Sequence, residues 1–234
     1  FARDQVSWSG AFVFTEDVAR QSDDYQSSRP AKQIDVLGNA GLVYGIAQFQ
    51  NYSIQLQTAG DGLSIAGGKD FIFDQDFTIE AWVRFNDPEV GTQTIFTNRP
   101  STSYGPGDWF IQCIDAADGG YIQTGVNGVA PFISSEKIYA DTWYHIALVR
   151  QTGQMSLYVD GKLSHDTVTI VNPLGTATSN TILAGLLGTS NQMMGNIDEI
   201  RVSKRARYSS PFAAPTQPFV NDSDTVLLIH GKED

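Results

Sequence analysis

Hydrophobic and polar residues alternate along much of the chain. In FTIEAWVRF, Phe77, Ile79, Ala81, Val83 and Phe85 fall on one side while Thr78, Glu80, Trp82 and Arg84 fall on the other. That period of two is what a pleated strand imposes. QMSLYVD repeats it, with Met155, Leu157 and Val159 set against Ser156, Tyr158 and Asp160. WYHIALVR is largely apolar on both sides, which predicts a strand in the middle of a packed sheet. TVLLIHG, residues 225–231, is nearly continuous in apolar residues and predicts a strand buried on both faces.

Turn signals separate these runs. Val126-Asn127-Gly128-Val129, Asp118-Gly119-Gly120 and Asp160-Gly161 each fit a tight hairpin, because Asn, Asp and Gly tolerate the positive φ of a type I′ turn. RQTGQ, between Val149 and Met155, reads as a longer turn containing Gly. Roughly a dozen short strands spaced in this way predict an all-β fold, a two-sheet antiparallel sandwich. Helix is nearly absent, and its best candidate is a short turn around Lys204–Ser210, before Pro211.

Two regions depart from the pattern. Residues 1–32 join one apolar run, GAFVF, to a polar tract, and read as an N-terminal extension, or an edge strand and linker. Residues 33–234 then form the sandwich. Within it SSPFAAPTQPF (209–219) is expected to lie extended across the surface, since its three prolines forbid helix and central strand alike. Residues 225–231 supply a closing strand.

Composition narrows the partners. With 234 residues, 41% of them hydrophobic, the chain can fill one large all-β core or two small ones. A net charge of −11 repels phosphate backbones, so neither nucleic acid nor an anionic membrane is an expected partner. No apolar run reaches the length of a membrane span; GLVYGIAQF (41–49) comes nearest. The opening FARDQVSWSG lacks an initiator methionine and a charged-then-apolar leader, and reads as a fragment or a processed form. Cys113 is the single cysteine, so no intrachain disulfide forms, and its place within WFIQCIDA predicts a buried structural thiol.

Four separated stretches carry a resemblance. DGLSIAGGKDFIFDQDFTIEAWVRF, TWYHIALVRQTGQMSLYVDGKL, MGNIDEIRVSKRARYSSPF and DTVLLIHG together resemble, in order and spacing, the laminin-G-like, concanavalin A-like jelly-roll domains. The likeness runs over residues 33–231, and ARYSSPFAAPTQPF followed by LLIHG is most similar to versions found in bacteriophage tail fibres, spikes and head-decorating proteins. It implies a jelly-roll sandwich on a virion or outside the cell. Such domains commonly open with a strand like LLLHFDG, and nothing in residues 1–32 matches it; the similar TVLLIHG stands at the other end.

Some domains of this fold hydrolyse β-glucans with an E-x-D-x-x-E strand, and retaining hydrolysis needs two carboxyls about 5 Å apart. Asp198 and Glu199 in GNIDEIRV are adjacent, so in a regular strand they face opposite ways. In DFTIE, Asp76 and Glu80 share a face, but Thr78 stands where the middle acid belongs. No G-x-S-x-G elbow exists, and His145 sits inside a strand pattern as a structural histidine, so no enzymatic activity is expected.

The resemblance also implies calcium at the sandwich rim in many members, for which Asp198 and Asp61 are the candidate ligands, although no cofactor is required. For a glycan, the loop NRPSTSYGPGDWF offers Tyr104 and Trp109 around Gly-Pro-Gly, with Asn98, Arg99 and Asp108 near. Against this stands a plain connection whose Trp109 starts the next strand and packs inward. Trp82 is likewise read as a packing residue. The reading that results is a non-enzymatic structural or attachment module of a virion or extracellular assembly. It would contact other assembly proteins, or copies of itself, through its sheet edges, GAFVF and the Pro-rich tail. The alternative is a lectin-like module that recognises a cell-surface glycan, with or without calcium.

Overall fold

The computed structural model describes residues 33–231, except 67, 100–104, 127, 128, 166, 171, 176–180 and 185–190, and the side chains of 181–183. GAFVF and the Asn127-Gly128 turn lie outside the described residues. Within them, sixteen strands form two sheets, and every pairing between strands is antiparallel.

One sheet runs in the order β1 (Gln33–Leu37), β4 (Gly62–Ala66), β14 (Thr181–Ala184), β6 (Gln93–Thr97), β7 (Trp109–Ala116), β8 (Gly119–Val126), β9 (Phe132–Ile138). The other runs β12 (Lys162–Leu163), β11 (Gln154–Val159), β10 (Trp143–Gln151), β5 (Phe77–Phe85), β15 (Gly195–Ser203), β3 (Tyr52–Leu56), β2 (Gly41–Tyr44). In that sheet β13 (Val168–Thr169) also pairs with β11, and β16 (Thr225–Ile229) with β15. Among the described residues no helix is long and apolar enough to cross a membrane.

The alternation read from the sequence decides the packing. Phe77, Ile79, Ala81, Val83 and Phe85 of β5 point into one continuous core with Ile146 and Leu148 of β10 and Met155, Leu157 and Val159 of β11. Register brings Leu148 beside Ile79 on one side and Leu157 on the other. The facing sheet contributes Ile65, Ile95, Phe96, Trp109, Ile111 and Cys113. Burial, with the nearby Asp115 carboxylate, pushes the Cys113 thiol up to about 12, so it is protonated and inert.

The turns are tighter than the sequence suggested in one place. Gln151 pairs with Gln154, so RQTGQ is a two-residue hairpin on Thr152 (φ 48°) and Gly153 (φ 79°), with the flanking residues drawn into the ladder. Asp160 and Gly161 form the expected tight turn between Val159 and Lys162. No helix forms at 204–210. There Thr78 donates to the Arg205 carbonyl and accepts from the Arg207 N–H, and such sideways bonding leaves no helical ladder. A short 3₁₀ turn, Gly68–Phe71, forms instead before β5.

The outer face of the larger sheet is covered as well, by residues 204–224 acting as a strap. Its base is closed where the Lys204 N–H meets the Asp224 carbonyl (2.8 Å) and Arg207 forks onto both oxygens of Asp222 (3.0 and 2.8 Å). Burial opposes ionisation of Asp222, but Arg207 and Thr225 hold its carboxyl well below the usual range. Ala206, Tyr208 and Phe212 of the strap pack on Ala147, Val149 and Tyr158. Ala214 and Phe219 pack on Trp82 and Leu228. The Pro-rich segment holds neither helix nor strand, and its aromatic rings are turned onto their own sheet and not offered to a partner.

Gly161 permits this arrangement. It sits at φ 74° and accepts the Phe212 N–H at 2.9 Å, and a Cβ there would collide with the Phe212 carbonyl. Gly161→Ala is expected to lower stability by about 1–3 kcal/mol in urea titrations. Chymotrypsin should also cleave within 204–224 in the variant under conditions where the parent chain is resistant.

Candidate functional site

Beneath the strap lies a buried ionic cluster centred on Glu80. Its neighbours on β5 are core residues, and the alternation turns its carboxylate to the outer face, where its side chain is 0% exposed. Oε2 accepts from Tyr208 Oη (2.8 Å) and meets His145 Nε2 (3.1 Å), while Oε1 accepts from Arg201 Nε (2.8 Å). Arg207 Nε stands 3.8 Å away. Burial opposes the charge, but the His145 bond and the Arg201 guanidinium outweigh it and hold the pKa below the usual carboxylate range. Trp82 is buried beside this cluster with Phe49 edge-on at 5.6 Å, and Arg201 lies over Phe219 at 4.1 Å. His145 is thus a structural partner of Glu80. Asp76, the other acid of DFTIE, accepts the Thr152 N–H at 2.7 Å in the adjoining hairpin.

Asp198 and Glu199 do not face opposite ways. A bulge lies between Asp198 and Arg201, Glu199 takes φ 53°, and the extra residue lets both carboxyls turn away from the core. They fill a seam. Along its outer side β15 is paired with β3 through Ile197 and with β16 from Ile200 onward. Asp198 accepts from the Gln48, Gly231 and Glu199 N–H groups at 2.9–3.1 Å. Glu199 accepts from the Phe219 N–H (2.6 Å) and meets His230 Nδ1 (2.6 Å). The backbone donors left over where one strand hands on to the next are satisfied there.

Asp61, the other candidate calcium ligand, is 1% exposed and fully engaged. Oδ1 accepts from the Asn39 N–H and Thr58 Oγ1, and Oδ2 from the Gln57 and Thr58 N–H groups, at 2.7–2.9 Å. Burial raises its pKa, but those donors outweigh it and hold the group ionised below the usual range. Asp61 does not fit calcium, because each of its oxygens already receives two donors, while Asp198 spends Oδ1 on the Gly231 and Glu199 N–H groups and Oδ2 on that of Gln48. Among the described residues no group of three or more His, Cys, Asp or Glu side chains gathers as a metal site.

The described ends of the loop NRPSTSYGPGDWF, residues 98, 99 and 105–110, are held by its own polar residues. Asn98 Oδ1 accepts the Trp109 N–H (2.7 Å), Asn98 Nδ2 donates to the Gly107 carbonyl (3.1 Å), and Asp108 accepts the Gly105 N–H (2.6 Å). Arg99 lies over the Phe110 ring at 4.7 Å, and Asn98, Arg99 and Asp108 are each 5% exposed. Trp109 begins β7 and is wholly buried in the core near Phe73, so its ring packs inward and faces no ligand. Tyr104 lies outside the described residues.

An aromatic pair that the sequence did not single out stands elsewhere. Tyr44, on the edge strand β2, is 70% exposed and sits directly opposite Tyr52 on β3, the rings edge to face at 5.3 Å. The hint in the sequence is small: two tyrosines eight residues apart across a connection that returns the chain on itself.

Two consequences are measurable. Glu80→Ala leaves the buried Arg201 without its carboxylate and is expected to cost about 3–5 kcal/mol of stability by chemical denaturation. Asp198 behaves oppositely with pH. Burial is the chief cause that pushes it up to about 6 from an ordinary 3.8, with the Glu199 charge adding and the Gly231 and Gln48 N–H groups opposing. Since its folded pKa exceeds the unfolded one, its stabilising contribution is full below about pH 4 and fades as pH rises through about 6, a change of about 3 kcal/mol. The stability of Asp198→Asn relative to the parent should therefore shift in the variant's favour by about that amount between pH 4 and pH 7.

Comparison places this architecture. No curated protein matches the chain. Solved structures share the fold at low identity. The binding domain of Paraclostridial Mosquitocidal Protein 1 is 18% identical with a TM-score of 0.57, over 76% of this chain and 45% of that one. The botulinum neurotoxin serotype G binding domain is 17% identical with a TM-score of 0.55, over 78% and 45%. Domain 4 of an extracellular arabinanase from Geobacillus stearothermophilus, solved in complex with arabinotriose, is 17% identical with a TM-score of 0.55, over 75% and 83%. The chain spans about half the length of each toxin binding domain. The sequence profile of the concanavalin A-like lectin/glucanases superfamily matches residues 57–210, well over half of the molecule, and the chain belongs to that superfamily.

Proposed function

We propose that this domain is a non-catalytic glycan-recognition module. The observation that carries the reading is the Tyr44 ring, 70% exposed on the sheet edge and met edge-on by Tyr52. A sugar ring stacks on such a face, and the Tyr52 ring beside it limits the positions that Tyr44 can take. The broad outer face gives no support to hydrolysis, since Glu80 there is buried by the strap and bonded on both oxygens. The fold is shared with two toxin binding domains and with an arabinanase domain solved in complex with arabinotriose. Recognition in this reading draws on no calcium through Asp61 or Asp198.

A virion or the cell exterior is the setting in which a module of this kind meets surface glycans, and we extend the proposal to it. Docking to other assembly proteins through the Pro-rich tail draws no support from the strap, whose rings pack on their own sheet.

A glycan array followed by calorimetry tests the reading. Specific binding of an oligosaccharide is expected, with no release of reducing sugar and no change on adding EDTA. Tyr44→Ala should weaken it about tenfold, the loss of one stacked ring. The thermal midpoint should hold, because Tyr44 is exposed. Absence of binding across the array at millimolar glycan would refute the proposal.

A further inference from the structure

The two sheets end in four strands, β1 and β9 in one, β12 and β2 in the other. Three of these ends carry charge: Asp35 stands in β1, Glu136 and Lys137 in β9, and Lys162 in β12. Charged side chains on an edge discourage a further strand from pairing with it. The fourth end, β2, reads Gly41-Leu42-Val43-Tyr44 and has none. The neutral stretch reaches well past the strand, since no Asp, Glu, Lys, Arg or His occurs from Val36 to Gly60 in a chain that is 18% charged. The hairpin of β2 and β3 is thus uncharged within a molecule of net charge −11.

The backbone of β2 is presented in a defined way. Gly45 donates its N–H to the Asn51 carbonyl at 2.8 Å, and the register sets Val43 opposite Ser53, two residues away in each strand. Bonded pairs alternate with unbonded ones in an antiparallel ladder, so Gly41, Val43 and Gly45 turn their N–H and C=O groups toward β3. Leu42 and Tyr44 turn theirs the other way, where no strand among the described residues is paired. Leu42 packs its side chain on the core and so holds the edge in place.

We propose that β2 pairs with β2 of a second copy of this chain, antiparallel across a two-fold axis, joining the two larger sheets edge to edge. The inference goes beyond glycan recognition and does not rest on it. A second copy fits this edge for two reasons. Two molecules of net charge −11 repel, and their approach is least opposed through a hairpin that holds no charge. The edge is also self-complementary. Outward-facing groups must meet outward-facing groups, so Leu42 of each copy pairs with Tyr44 of the other and exchanges both N–H···O bonds with it. That register sets Val43 directly opposite Val43 of the second copy, an apolar β-branched pair. Pairing runs in the plane of the sheet, while the Tyr44 ring stands off its face. The contact is short, so the dimer is expected to have about micromolar affinity or weaker.

Sedimentation velocity of the full chain without sugar, from about 1 µM to 1 mM, tests the pairing. The parent should pass from monomer to dimer across that series. Val43→Lys places like charges opposite each other and should weaken the dimer about tenfold or more, as should Val43→Glu. Mixing the two variants should restore a dimer, because lysine then faces glutamate, and that rescue also shows that both variants are folded. Leu163→Lys, on the opposite edge of the same sheet, should leave the parent's behaviour unchanged. A chain that stays monomeric throughout overturns the proposal and leaves the edge to another partner. A dimer unmoved by both Val43 variants places the contact elsewhere and overturns it as well. Failure of the mixed variants to associate while the parent dimerises overturns the two-fold register. None of these outcomes touches the glycan array, whose result stands by itself.

Discussion

A sheet with apolar residues on both faces needs two covers, and one partner sheet supplies only one. Here the chain lays its own residues 204–224 across the second face. Hydrophobic contact alone would not fix where that strap lies, because apolar surfaces slide at little cost. The Glu80 cluster fixes it. A carboxylate taken out of water demands donors in set directions, and Tyr208 and Arg207 from the strap side meet those of Arg201 and His145 from the sheet. The cluster therefore registers strap against sheet, and the stacked Tyr208 and Phe212 rings (3.5 Å) follow from it.

The same constraint, that no polar group be buried unpaired, explains the acidic motif on β15. A strand that changes neighbours halfway leaves N–H groups pointing into a gap, and carboxylates on a bulge reach them where a regular strand would not. Asp198 and Glu199 thus act as backbone surrogates between β3 and β16. The acids that look like catalytic or metal-binding candidates in the primary structure are consumed by architecture. What the architecture leaves exposed includes the Tyr44 ring on a sheet edge.

The sheet was legible because alternation is a local property: Phe77 to Phe85 and Met155 to Val159 settle in the core as their spacing demands. The Asp160-Gly161 turn was legible for the same reason. Thr152 was not, since a threonine at positive φ is set by the pairing of Gln151 with Gln154 and not by its own preference. The bulge at Glu199 escaped because it arises where β3 gives way to β16, strands about 170 residues apart in the chain. In the 98–109 loop, Asn98 and Asp108 carry the residue types of a sugar site, yet both are occupied by loop backbone. Tyr44 carried almost no signal, because exposure is a property of the assembled edge.

The shared flank of β15 also bears on synthesis. Half of that flank is filled by a strand made early and half by one of the last described residues, meeting where Gly231 lies against the Tyr52 backbone. A nascent chain still short of residue 225 would expose part of β15 as an open edge, ready to recruit a strand from another molecule. Closure of that flank therefore waits until residues 225–229 have emerged from the ribosome, and the interval before then is a period of danger from aggregation.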